Sequence, residues 1–149
     1  ILKRFCRYIL FAALVDFISD FIPFFWAYIT VAGNTGDWEL AATTARTVAF
    51  TSIVFFEFFL SYQCRSETKH IFQLGLEGWT ANKLLFISVM IGLILQMMIL
   101  YIPSLNVIFH VVPLTGLQLL VCFLGSLTAF LIIPQKLIPK RQYVEHRKA

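Results

Sequence analysis

Four long apolar blocks divide the sequence, at about residues 7–31, 44–63, 83–101 and 113–133. Each is close to the roughly 20 residues that cross a bilayer as a helix. Only 13% of the 149 residues are charged, against about 25% in soluble domains. Soluble helices would also show polar stripes at the 3.6-residue period, and these blocks lack them. The sequence predicts an all-α, polytopic membrane protein with four transmembrane helices in a bundle, forming a single membrane domain over residues 1–149.

Turn-forming residues mark the ends of these blocks. Gly-Asn-Thr-Gly-Asp at 33–37 predicts a turn after the first block. Pro103 ends the third block, because proline blocks helix continuation. Residues 102–112 are then predicted to form a loop, and Pro113 to open the fourth span.

Basic residues predict the orientation in the membrane. Lysine and arginine concentrate before the first block, in the loop of residues 64–82 and in the tail of residues 134–149. Because such residues favour the cytoplasmic side, both termini are predicted to be cytoplasmic, N-in and C-in. The positives flank the spans instead of forming one patch, so we expect contact with membrane lipid and no nucleic acid. Plasma membrane and internal membrane both stay open.

Catalytic and metal signatures of soluble enzymes are absent from the sequence. The three cysteines are isolated, so neither a disulfide framework nor a zinc site is predicted. The sequence has no phosphate-cradling glycine-rich loop and no hydrolase-like arrangement of Ser, His and Asp. We therefore predict no catalytic residue and no cofactor-binding residue in this chain.

Glu57 is the most informative polar residue, because it lies among phenylalanines in the second block. A charged carboxylate at mid-bilayer costs roughly +2.5 kcal/mol or more, so it needs a partner, a proton or a cation. Among its helical neighbours only Ser61 is a good oxygen donor. Calcium takes about six to eight oxygen ligands, which these two residues cannot supply alone. A protonated Glu57, hydrogen-bonded to a neighbouring helix, is the alternative.

Asp16 and Asp20 are further candidate cation ligands in the first block. They are four residues apart and share one helix face. Two like charges inside a membrane must share a proton, a cation or a basic partner. The alternative is that they face a protein neighbour or water. Gln96 and Gln118, in the third and fourth blocks, are predicted to hydrogen-bond across helices.

An ordered set of residues resembles a known family. It comprises Ala-Arg-Thr-Val-Ala-Phe-Thr-Ser at 45–52, Glu57, Gln-Cys-Arg-Ser-Glu at 63–67, Trp-Thr-Ala-Asn-Lys at 79–83, Gln96, Leu-Tyr-Ile-Pro-Ser-Leu at 100–105 and Leu-Thr-Gly-Leu-Gln at 114–118. Over about residues 1–140, this set resembles transmembrane helices seven to ten of P-type cation ATPases. The most similar branch is the calcium pumps of the sarcoplasmic-reticulum type.

The resemblance implies a function for Glu57 and a set of partners. Glu57 falls on the family's cation-coordinating glutamate of the eighth helix, with calcium as the transported ion. The partners are the remaining transmembrane helices and the cytoplasmic domains of the pump, which hold ATP and Mg²⁺. This chain has no Asp-Lys-Thr-Gly phosphorylation motif, so we expect no ATP hydrolysis by it alone.

Departures from the family pattern keep a second function open. Leu60 stands where calcium pumps usually have a polar residue, and Ala12, Asp16 and Ser19 lie in a helix that is often glycine-rich in the family. The alternative is a free-standing four-span scaffold, or a small cation or proton carrier that uses Asp16, Asp20 and Glu57.

Overall fold

The structure, a computed structural model, describes residues 2–63 and 82–132. These residues form only helices: α1 (Leu2–Thr35), α2 (Trp38–Gln63), α3 (Lys83–Tyr101), α4 (Pro103–Phe109), α5 (Gly116–Ser126) and a final 3₁₀ helix (Leu127–Leu131). α2 and α3 along their full length, and α1 from Tyr8 on, are long and apolar enough to cross a membrane. The all-α, multi-pass prediction is confirmed. The predicted loop of residues 64–82, apart from Asn82, and the tail of residues 134–149 lie outside the described residues.

The predicted turn between the first two spans is shorter than expected. α1 continues to Thr35, so only two residues separate it from α2. Gly36 has a φ of 70°, a left-handed conformation that glycine adopts without steric cost and that commonly ends helices. Asp37 Oδ1 accepts hydrogen bonds from the backbone N–H groups of Glu39 and Leu40, at 2.9 and 3.0 Å, and so caps α2.

Small residues bring α1 and α2 together as an antiparallel hairpin. Ala27 and Ala32 on α1 are buried, as are Ala41 and Ala45 on α2. Alanine lets two helix backbones approach closely, which is how helices associate where lipid gives no hydrophobic driving force. This hairpin fixes the relative depth of residues on the two helices.

A polar stripe on α2 corrects the expectation that the blocks lack one. Thr44, Thr47 and Thr51 recur at helical spacing and are buried. Their hydroxyls donate to the carbonyls of Leu40, Thr43 and Thr47, four residues earlier in each case. The stripe faces the other helices and not solvent, which is the reverse of a soluble helix.

Residues 102–112 contain a helix where a loop was expected. α3 ends at Tyr101, as Pro103 predicts, but Pro103 then occupies the first turn of the short helix α4. Proline is tolerated there because its missing N–H would have no partner in any case. His110 ends α4 in a left-handed conformation, with φ 52° and ψ 44°.

The fourth block is helical but begins later than predicted. Pro113 precedes the helix, and Thr115 caps α5 at Gly116. α5 and the 3₁₀ helix together reach about 27 Å, at 1.5 and 2.0 Å per residue. A typical hydrocarbon core is about 30 Å thick. Within the described residues, three helices and not four are long enough to span a membrane.

Candidate functional site

Glu57 lies on the outer face of α2. Arg46, Ile53, Glu57 and Ser61 are all exposed, and their spacing of 7, 4 and 4 residues places them on one side of the helix. The hydroxyl of Ser61 donates to the backbone carbonyl of Glu57 at 2.7 Å. Ser61 therefore lies one turn beyond Glu57 and is bonded to its backbone, not to its carboxylate.

The hairpin brings Asp16 and Asp20 towards Glu57. Asp16 lies twenty residues before Gly36, and Glu57 lies twenty residues after Asp37, so the two occupy the same level of the antiparallel pair. Glu57 interacts electrostatically with both aspartates, and Asp16 with Asp20. These three residues, which we call the carboxylate cluster, thus lie near one level of the α1–α2 hairpin and influence one another electrostatically.

The two aspartates are half-buried and incompletely paired. One carboxylate oxygen of each, Oδ1, is enclosed and has no hydrogen-bond partner among the described residues. An enclosed carboxylate oxygen without a donor is unfavourable, so a proton, a cation or a further donor would stabilise it.

The cluster is not a complete metal site. In the part of the chain that the structure describes, no group of three His, Cys, Asp or Glu side chains could hold a metal ion. The carboxylates supply negative charge and oxygen atoms from one side only, while a hard cation needs ligands all around it. Among the described residues, these carboxylates therefore do not form a cation site by themselves.

Buried hydrogen bonds join α2 to neighbouring elements, and sequence analysis predicted only one of them. Gln96 on α3 donates through Nε2 to Thr51 Oγ1 at 3.1 Å, as its position in an apolar span predicted. Thr47 Oγ1 accepts the backbone N–H of Val112 at 3.2 Å. The spacing of the α2 threonines was the signal for these contacts, because a threonine whose hydroxyl bonds its own helix can still accept from a neighbour.

Gln118 does not bridge helices as predicted. Its Oε1 accepts the backbone N–H of Thr115 at 2.8 Å, and Thr115 Oγ1 accepts the N–H of Gln118 at 3.4 Å. The two residues form a reciprocal capping box at the start of α5. The pattern of Thr followed three residues later by Gln was the sequence signal for this local function.

α1 and α5 meet next to Asp20. Ser19 is buried, and its hydroxyl donates to the carbonyl of Gly125 at 2.9 Å. A Cβ atom on Gly125 would lie 3.2 Å from Pro23 Cγ and 3.3 Å from the Ser19 carbonyl oxygen. The Ser19 carbonyl lacks its usual helical hydrogen bond, because residue 23, four positions later, is a proline without an N–H. A side chain at position 125 would therefore require α1 and α5 to move apart by a few tenths of an ångström.

Comparison with known proteins gives a family and several relatives. The model of the family "Cation transporting ATPase, C-terminus" matches residues 1–135. The mouse calcium-transporting ATPase type 2C member 2 is 32% identical over 114 residues, which are 76% of this chain and 11% of that protein. The human type 2C member 1 protein is 34% identical over 94 residues, 63% of this chain and 10% of its own length.

A yeast relative shows the same partial coverage. Calcium-transporting ATPase 1 of Saccharomyces cerevisiae is 33% identical over 105 residues, 70% of this chain and 11% of that protein. The chain thus spans about a tenth of the length of the relatives that it matches. No solved structure matches it.

Proposed function

Because the chain belongs to the family of cation transporting ATPase C-termini, we propose that residues 1–149 form the C-terminal membrane domain of an ATP-driven calcium pump. The observation that carries this proposal is the family match over residues 1–135. Relatives named as calcium-transporting ATPases in mouse, human and yeast support the choice of ion. The partners would be the remaining transmembrane helices and the cytoplasmic domains, where ATP and Mg²⁺ would bind.

Glu57 is proposed to donate one carboxylate to the ion site of this pump. Its outward position on α2 supports that role, because a carboxylate that faced lipid would be costly. A further pump helix against this face would remove the carboxylate from lipid and could bring the other oxygen ligands of the ion. Ser61, Asp16 and Asp20 are weaker candidate ligands, since Ser61 is bonded to backbone and the aspartates lie to one side.

The pump branch and the topology are finer parts of the proposal. The sarcoplasmic-reticulum type, suggested by the motifs, stays a prediction, and the mammalian relatives are named type 2C. We propose four spans, with both termini and the loop of residues 64–82 on the cytoplasmic side. The near-spanning length of Gly116–Leu131 supports a fourth crossing.

ATP dependence of calcium transport tests the proposal against the carrier alternative. The polypeptide that carries this chain would be purified at its natural length and reconstituted into sealed vesicles. We expect calcium uptake that requires both ATP and Mg²⁺. Calcium flux that proceeds equally without ATP would contradict the pump and favour a free-standing carrier. That alternative is not favoured by the family match.

A further inference from the structure

A cleft lies between α2 and the segment that follows α4, away from the carboxylate cluster. We call it the Arg46 cleft. It has a volume of about 250 Å³ and is lined by Arg46, Thr47, Phe50, Phe109, His110 and Val111. Phe50 and Phe109 contribute aromatic side chains to the lining, and Arg46 contributes a positive charge. No acidic side chain lines it.

The walls of the cleft are fixed to each other. Thr47 Oγ1 on α2 accepts the backbone N–H of Val112 at 3.2 Å. On the opposite wall, the Asn106 carbonyl accepts the N–H groups of His110 and Val111. The left-handed conformation of His110 is uncommon for a residue other than glycine and is kept only where the surrounding structure enforces it. The cleft is therefore a feature of the fold and not a gap between independent segments.

Arg46 enters the cleft without a charged partner. Its hydrogen bonds among the described residues are to its own helix: Nε to the Ala42 carbonyl at 3.4 Å, and Nη2 to Thr43 Oγ1 at 3.2 Å. A guanidinium has five N–H donors in a planar fork, so most of its donors are free. Glu39 in the first turn of α2 and Asp37 just before that helix form no ion pair with Arg46 within the described residues.

The depth of Arg46 places it within reach of the membrane surface. α2 is about 39 Å long, longer than a hydrocarbon core of about 30 Å. Arg46 lies eight residues after Trp38, which is about 12 Å from the end of the helix. A long arginine side chain at such a depth can extend to the headgroup region while its stem stays among apolar groups.

We propose that the Arg46 cleft binds a phosphate group, of the kind that a phospholipid headgroup carries. Arg46 would hold the phosphate oxygens through the free edge of its guanidinium, the geometry in which arginine recognises phosphate. Phe50 and Phe109 would contact the apolar part of the lipid. The volume lies below the ~300–1,000 Å³ of sites for drug-sized molecules, so it suits a headgroup better than a larger ligand.

Lipid retention by the full-length polypeptide tests this proposal. The protein would be reconstituted in nanodiscs of phosphatidylcholine containing phosphatidic acid, extracted into mild detergent, and weighed with its bound lipids by native mass spectrometry. The variant is Arg46→Gln, which keeps hydrogen-bonding capacity and removes the charge. The matched control is Lys83→Gln, because Lys83 is an exposed basic residue outside the cleft. A parallel arm titrates lipid-free protein with inorganic phosphate.

The two arms separate the sources of the phosphate. We expect Arg46→Gln to lower phosphatidic acid retention at least threefold and Lys83→Gln to leave it unchanged, which assigns the cleft to a lipid headgroup. Arg46-dependent binding of inorganic phosphate without lipid retention would support the phosphate site with a soluble source. If Arg46→Gln reduces the binding of phosphatidic acid and of inorganic phosphate no more than Lys83→Gln does, the proposal is overturned. None of these results depends on calcium transport.

Discussion

Polar residues in these spans fall into two groups that differ in what surrounds them. Thr47, Thr51 and Gln96 face other helices and are paired inside the bundle. Glu57 and Ser61 face outward, and the Glu57 carboxylate has no hydrogen-bond partner among the described residues. The first group stabilises the bundle. We propose that a further helix or an ion binds at the second group.

The contact between Gln96 and Thr51 should contribute measurably to stability. Gln96→Leu removes the donor, but the Thr51 hydroxyl keeps its bond to the Thr47 carbonyl. We expect a loss of about 0.5–1.5 kcal/mol in the free energy of unfolding, in line with other interhelical hydrogen bonds in membranes. A double-mutant cycle with Thr51→Val, measured by detergent denaturation, isolates the pair. Strictly additive losses would show that the two side chains do not interact.

The sequence singles out Glu57 as a candidate, but it does not predict that the side chain faces away from the bundle. A carboxylate among phenylalanines is unusual whichever way it points, so composition alone singles it out. Its outward orientation depends on which face of α2 is buried. The threonines at 44, 47 and 51 carried that information, and they are easily read as neutral residues in an apolar block.

At the scale of elements, α1 and α5 approach each other closely at Gly125. Gly125→Leu should separate these helices, because even a Cβ there is 3.2–3.3 Å from Pro23 and Ser19. Overpacking of this kind costs about 1–3 kcal/mol. The matched control is Gly33→Leu, since nothing lies within 4 Å of a Cβ at that helical position. Equal unfolding free energies for the two variants would contradict the close approach.

The start of α5 should depend on its capping box. Thr115→Ala removes the hydroxyl that accepts from the Gln118 N–H, and loss of such a cap costs about 1 kcal/mol. Thr115→Ser should keep most of the stability, because it retains the oxygen. Both variants would be compared with the unsubstituted protein by thermal unfolding. If serine proved as damaging as alanine, the hydroxyl would not be the stabilising group.

Element boundaries were predictable where one residue has a strong backbone preference. Gly36, Asp37 and Pro103 end or begin helices as their chemistry dictates. The prediction that Pro113 opens the fourth span was wrong, because proline suits both the first turn of a helix and the extended segment before a cap. α4 was missed because its seven residues are too few for a periodic pattern to be recognised.

At the scale of the whole molecule, the membrane topology is directly testable. Trp38 and the segment around His110 lie at one end of the bundle. Lys83, at the start of α3, lies at the other end. Single cysteines at these positions, in a background without other cysteines, can be labelled in sealed vesicles with an impermeant maleimide. We expect positions 38 and 110 to label from one side and position 83 from the other. Labelling of all three from one side would contradict the arrangement of spans.

The bundle as a whole presents an incomplete surface. Large apolar side chains on α1, among them Leu14, Phe17 and Ile22, are exposed, as expected where lipid or further helices cover them. The carboxylates of Asp16, Asp20 and Glu57 lie on the open side of the same hairpin. We interpret this side as the contact with the remaining helices of the pump, which the sequence suggested only through the family resemblance.

Calcium affinity of the full-length polypeptide tests the role of Glu57 most directly. The measurement is equilibrium calcium binding to the unsubstituted protein, to Glu57→Gln and to Glu39→Gln. Glu39 is the matched control, because it is an exposed glutamate in the first turn of the same helix. We predict that Glu57→Gln weakens binding about tenfold or more, equivalent to ~1.4 kcal/mol, and that Glu39→Gln has no effect. Unchanged calcium affinity in a folded Glu57→Gln protein would contradict the assignment of Glu57 to the ion site.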